Sequence, residues 1–416
     1  MQRIPGDPSI KPVKPAAAFE FDGDAPPTQG SLPHVPAVID SRIFAVSGGH
    51  VRAFEVHAGT SETVSLLPAS GDVYRDGRAL IFESPDRGQA RYVAIDAASG
   101  KLMWKRRGSL MAAGQGTVVA VVAGADWTSR RLEFVRASDG RRRWEVADFG
   151  CMARPPVAFA GAHAIVGWAG SCPVSADEAT LMAFRVRDGA ENGLYDLTGV
   201  LMQTADAVFL GGDDRHWGSY GPGRFAIFDV RKGRVVFSRG VAPDPPSNAQ
   251  AAFEITMDAS SYAVGSDAVW VTVSGLVYRY SLFGAPSAPQ RLVSDGLQWL
   301  HVADGRATFF CDDDHLIAVV VSKDGHAMGY PFAGAISGAE ELRVLDDRLF
   351  LRDADGNIDV FRRSTRKLVR KVSADCEFLE TVVSVAGSTV AICSAQAEHD
   401  SLEGYEKEKP PRIIRF

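Results

Sequence analysis

Apolar and polar positions along this chain alternate in short runs, each closed by turn residues. Arg78 to Glu83 reads as one strand, Tyr92 to Ala97 as the next, Lys101 to Lys105 as a third, and Ser109 to Ala113 opens the following group. Ser99-Gly100 turns the middle hairpin, because glycine accepts a positive φ without steric cost. The same pattern returns along the chain. It runs Ala94-Ile95-Asp96-Ala97-Ala98-Ser99-Gly100-Lys101-Leu102-Met103-Trp104, then Phe134 to Gly140 and on to Trp144, then Ile227 to Gly233 and on to Phe237. Marking the glycine, or its stand-in, gives Gly59, Gly100, Gly140, Gly189, Gly233, Gly284, Gly325 and Thr365. The spacing of 40 to 51 residues leaves room for about four strands of roughly 5 to 6 residues per copy, the mark of a repeat array. No stretch of helical periodicity lies between the strands, which argues against a TIM barrel or a doubly wound sheet. The reading is all-β: a β-propeller of eight four-stranded blades, with seven and nine as alternatives, closed by terminal strands.

The ends differ from the middle. Residues 1–34 carry Pro5, Pro8, Pro12, Pro15, Pro26, Pro27 and Pro33 and read as an extended leader, with the apolar stretch Ala16 to Phe21 as a candidate added strand. Residues 35–416 read as a single propeller domain, of which 375–416 supply ring closure and a tail through Phe378 to Ala386, Thr389 to Ser394 and Arg412 to Phe416.

The unit of hydrophobic strand, Asp, small residues, Gly-Lys, two hydrophobics and Trp resembles the quinoprotein-type, or PQQ-like, propeller repeat. The resemblance covers about Val35 to Ala374. It is strong for Asp96 to Trp104 and fair for Arg136 to Trp144; other copies keep the hairpin and lose the tryptophan. No Trp-Asp dipeptide occurs, so the other common propeller repeat matches less well. The resemblance implies the fold but not an activity. Family members that are quinone-dependent dehydrogenases carry adjacent cysteines against the cofactor and a Glu/Asn/Asp calcium set. This chain has no Cys-Cys pair, which argues against PQQ as a cofactor and leaves a divalent cation open.

A net charge of −6 argues against a nucleic-acid partner, for which a basic domain is expected. The basic runs Lys105-Arg106-Arg107 and Arg141-Arg142-Arg143 read as solvated strand edges, protected by charge from aggregation. No signal-like or membrane-spanning apolar run is visible, so the chain as it stands reads as cytoplasmic, or as extracytoplasmic if a signal has been removed. Folding 151–172 as a hairpin about Gly161-Ala162 sets Cys151 opposite Cys172, a candidate cross-strand disulfide; Cys311, Cys376 and Cys393 show no comparable relation.

Function is read from loop lengths. Ser84 to Ala90, Gly124 to Arg130, Gly170 to Thr180 and Gly211 to Gly223 read as connections between second and third strands, and Val241 to Glu254 as a connection between units. In a four-strand meander all of these emerge at one end, and long loops on a rigid scaffold are where binding residues concentrate. The Gly211 to Gly223 stretch brings Asp213, Asp214, Arg215, His216, Trp217 and Tyr220, joined by Asp126 and Trp127 from a neighbouring unit. Trp, Tyr and Arg dominate binding surfaces, while Asp and His suit cations or acid–base work. Two acidic groups, Cys311 to His315 and Asp353 to Asp359, read as a solvated turn and an Asp-Gly hairpin. Two functions follow. One is a non-catalytic binding or scaffold protein for a protein or peptide partner. The alternative is a metal-assisted hydrolase or lyase acting at the mouth of the central channel.

Overall fold

The computed structural model describes residues 13–20, 37–86, 89–123, 130–147, 157–160, 162–169, 179–196, 208–210, 216–221, 224–229, 234–240, 262–264, 268–273, 276–281, 290–292, 303–304, 307–311, 316–321, 327–332, 339–394 and 412–416. The chain divides into two compact units, Phe21–Arg239 and Met1–Glu20 with Gly240–Phe416. Among the described residues there are nine four-stranded sheets, eight of them consecutive antiparallel meanders. Sheets one to five span residues 37–68, 70–107, 109–146, 157–196 and 208–240; sheets six to eight span 262–292, 303–331 and 339–373.

The strands read around Gly100 are found as Ala79–Glu83, Arg91–Asp96, Leu102–Arg107 and Ser109–Gly114, with Ser70–Asp76 as the first strand of sheet two. Every repeat marker falls between the third and fourth strands of one of the first eight sheets. Sheet nine has no such marker, because its strands come from both chain ends. It runs in the order Ala17–Glu20, Arg412–Arg415, Ser388–Ser394, Phe378–Val385. The count of eight therefore counts turns, and the stretch beyond Ala374 builds a full sheet with the leader strand.

The recurring glycine and tryptophan have one physical explanation. Gly100, Gly140 and Gly189 take φ of 65°, 70° and 73°, and each donates its N–H to the carbonyl four residues back, of Asp96, Arg136 and Arg185. Three residues before the glycine, Ala137 and Val186 donate their N–H groups to Gly116 and Ala162 within their own sheets. Their carbonyls accept the indole N–H of the preceding sheet's tryptophan, Trp104 to Ala137 at 2.7 Å and Trp144 to Val186 at 3.3 Å. The ring then lies where a side chain on the glycine would be: a Cβ at Gly140 would stand 2.8 Å from Trp104, and one at Gly189 2.5 Å from Trp144. Sheet one has no tryptophan to offer, and a Cβ at Gly100 would meet the Val64 carbonyl at 2.1 Å. In sheet eight the positive φ, 56°, belongs to Arg366 rather than to Thr365, so the sequence marker is one position early there.

Apolar layers between neighbouring sheets make the core. Phe44, Leu80, Phe82 and Ile95 fill the space between sheets one and two, and Ile81, Tyr92, Trp104, Val118 and Val135 that between two and three. Phe134, Val166 and Phe184 join three and four, where Trp144 stacks on Phe134 with ring centroids 3.4 Å apart. In the other unit, Leu316, Phe332, Leu349 and Phe361 join sheets seven and eight, and Phe350, Val360, Leu379 and Ile414 join eight and nine.

Candidate functional site

Asp126, Trp127, Asp213, Asp214 and Arg215 lie outside the described residues, as do Cys151 and Cys172. His216, Trp217 and Tyr220 do not lie in a loop: His216–Gly221 is the second strand of sheet five, with Trp217 opposite Phe228 and Tyr220 opposite both Phe225 and Val208. The glycines of this stretch suggested a loop, but apolar strands on either side, Val208–Leu210 and Arg224–Asp229, supply ladders for its backbone groups. In sequence, residues 211–215 then fall between the first and second strands of sheet five. The acidic residues 312–315 lie outside the described residues. Ser84 to Ala90 does connect the second and third strands of sheet two. It is closed by backbone bonds between Asp86 and Gln89 and by an ion pair from Arg91 to Asp86.

The most concentrated buried charge in the described residues is at the hairpin joining Arg348–Asp353 to Asn357–Arg362 in sheet eight. Asp353 and Asp359 are each 1% exposed. One Asp353 oxygen accepts the N–H groups of Asp355 and Asn357, which fixes the turn through Gly356. The other accepts the Lys371 ammonium at 2.7 Å, and the Asn357 amide donates to both oxygens. Asp359 stands directly opposite Lys371 in the ladder, with its carboxylate 3.5 Å from Nζ and without a hydrogen bond. Burial pushes the Asp359 carboxyl up to about 6; Lys371 opposes the shift and Asp353 adds to it. Burial works against the Lys371 ammonium, yet the two carboxylates hold its pKa above the ordinary lysine value. The Asp-Gly turn was visible in the sequence. Its lysine was not, because it sits fifteen residues beyond Gly356, in the next strand.

The basic runs lie at outer strands and are exposed at Lys105, Arg107, Arg141, Arg142 and Arg143, as expected of solvated edges, whereas Arg106 is half-buried in a second cluster. Glu133, its side chain 3% exposed, pairs with Arg106 at 2.7 Å and Arg131 at 3.3 Å, with Arg142 at 4.0 Å. Arg106 also donates to the Gly140 carbonyl, so it ties sheet two to the repeat turn of sheet three. A third departure is a disulfide, Cys376–Cys393. Hairpin arithmetic does not reveal it, because Cys376 precedes the strand: its N–H bonds the Gly356 carbonyl, which carries it toward sheet eight. Among the described residues no group of three or more His, Cys, Asp or Glu side chains could hold a metal ion, and no helix is long and apolar enough to cross a membrane.

Comparison with solved structures identifies the architecture. The quinohemoprotein alcohol dehydrogenase of Comamonas testosteroni superposes with a TM-score of 0.52 over 96% of this chain and 76% of its own, at 13% identity. The chain has a β-propeller fold. A second quinohemoprotein alcohol dehydrogenase, from Pseudomonas putida HK5, gives 0.52 over 98% and 78% at 13% identity. A eukaryotic initiation factor gives 0.51 over 85% and 90% at 6%. No protein-family model and no curated protein matches the chain. At these identities the likeness is one of fold.

Proposed function

We propose that the protein is a non-catalytic propeller that presents loops of its second to fifth sheets to a protein or peptide partner. The supporting observation is the use to which the described charged groups are put. Asp96 caps the Ser99 N–H, Asp139 the Arg141 N–H and Asp188 the Ala190 N–H. Each of these carboxyls is held below its ordinary pKa, Asp96 and Asp188 chiefly by side-chain hydrogen bonds and Asp139 by its backbone bond. Asp353 and Glu133 are engaged by Lys371 and by arginines. These groups hold turns and sheets together, which suits a rigid platform whose recognition is carried by its loops.

The recognition residues of this reading fall into two groups. Asp126 and Trp127 belong to the second-to-third connection of sheet three, and Asp213, Asp214 and Arg215 to the first-to-second connection of sheet five. The Cys376–Cys393 bond favours an oxidising compartment, and with it an extracytoplasmic setting. Partner capture from the source cell with Asp126→Ala/Trp127→Ala and, separately, Asp213→Ala/Arg215→Ala tests the reading, with circular dichroism to verify folding. A partner lost from one folded variant locates the face. A partner retained by both, or a ligand that proves to be a small molecule, overturns it.

A further inference from the structure

The fourth strands of sheets two and three, Leu102–Arg107 and Arg142–Val146, are outermost in their sheets, paired to the third strand on one side and to no described strand on the other. An edge of this kind presents backbone N–H and C=O groups to any chain that can lie along it. One such edge is already used within the molecule. Val13 lies parallel to the fourth strand of sheet eight, donating its N–H to the Lys371 carbonyl and accepting the Ser373 N–H, both at 2.9 Å. In sheet two the edge is basic. Lys105 stands opposite Val93 and Arg107 opposite Arg91, which places both cations on the face from which Val93 packs toward sheet one. Both are exposed, and neither has a carboxylate partner among the described residues, whereas Arg106 between them turns to Glu133 of sheet three. Arg106 also donates to the Gly140 carbonyl, so that the exposed Arg141 and Arg142 follow beside this strand.

We propose that the outer edge of Leu102–Arg107 is a docking surface for an extended acidic segment of a protein partner, which adds to sheet two as a further strand with carboxylates at alternate positions. Charge complementarity names the occupant. Lys105 and Arg107 are two residues apart along a strand, about 7 Å, which is the spacing of every second side chain on a neighbouring strand, and cross-strand pairs of opposite charge stabilise a sheet. The same cations repel a second copy of this edge. A nucleic acid or an anionic lipid surface would meet the cations but has no row of N–H and C=O groups for the backbone, and the net charge of −6 opposes a dense polyanion. Main-chain bonds supply the affinity, and the cations select the sequence and its register. This surface lies on strands, apart from the loops proposed above, and neither reading requires the other.

The probe is a capped, fluorescently labelled peptide of alternating glutamate and valine, added to the full-length protein and followed by anisotropy, with hydrogen exchange to read the backbone. The expected result is saturable binding that slows exchange at amides of residues 102–107 and weakens about tenfold in Lys105→Glu/Arg107→Glu. Binding is lost when the peptide is N-methylated throughout, which keeps its carboxylates and removes its donors. Both side chains are exposed, so the variant keeps the parent's circular dichroism; should charge reversal disturb folding, Lys105→Gln/Arg107→Gln asks the same question with a smaller fall. Three results overturn the inference. The first is no binding. The second is equal binding of the N-methylated peptide, the mark of a plain electrostatic surface that inorganic polyphosphate or phosphatidylserine vesicles would fill as well. The third is protection that falls outside 102–107 or is unchanged by the substitutions.

Discussion

Asp359→Asn is the sharpest test of the buried cluster in sheet eight. In the folded protein the Asp359 carboxyl titrates near 6, against an ordinary value of 3.8. The folded state therefore binds this proton more tightly than the unfolded state does. Two pKa units at about 1.4 kcal/mol each give roughly 3 kcal/mol. That cost is absent below about pH 4, where both states are protonated, grows as pH rises through the window up to 6, and is fully present above it. The asparagine side chain keeps the shape and cannot ionise. We expect urea denaturation to show the variant more stable than the parent at pH 8, by up to about 3 kcal/mol less whatever Lys371 loses, with most of the gain gone at pH 4.5. A stability difference between variant and parent that is the same at pH 4.5 and pH 8 would refute the argument. It would mean that Lys371 and the surrounding dipoles already compensate the charge, and that Asp359 titrates like an exposed carboxylate.

Gly140→Ala should destabilise by about 1 to 3 kcal/mol, through its positive φ and the Trp104 ring 2.8 Å from the new methyl group. Trp104→Leu in the same chain should recover part of that loss, so a double-mutant cycle by thermal denaturation should show coupling across the two sheets. Replacing Cys376 and Cys393 by serine opens a 17-residue link and should cost about 3 kcal/mol. Reducing agent should lower the thermal midpoint of the parent and leave that of the double serine variant unchanged.

Local chemistry was legible in the sequence and long-range pairing was not. Gly100 and Gly140 were readable because their turn needs a positive φ that few other residues accept, and the strands of sheet two were found within a residue or two. Trp104 was visible as a recurring letter, but its role as a donor to the next sheet's turn was not. The stretch at His216 was misread because glycine signals permissiveness without saying which neighbour will use it. In sheet five the neighbours are strands on both sides. Arg106 read as an edge charge because its partner Glu133 lies in a different repeat. Lys371 was lost although it shares a sheet with its carboxylates, because the pairing runs across strands and not along the chain. Cys376 and Cys393 escaped because the arithmetic assumed both cysteines within paired strands, whereas one lies just outside.

The outermost strand of sheet nine joins segments that are far apart in the chain, Ala17 standing opposite Arg415. Sheets one to eight are each built from one contiguous run of residues, so their strands meet across short connections. Among the described sheets, sheet nine alone must close a loop that contains all of the others, and the entropy of that closure falls on the rate of folding more than on the final contacts. The eight local sheets are therefore expected to form first, and the pairing of Ala17–Glu20 with Arg412–Arg415 to be the slow, late step of folding.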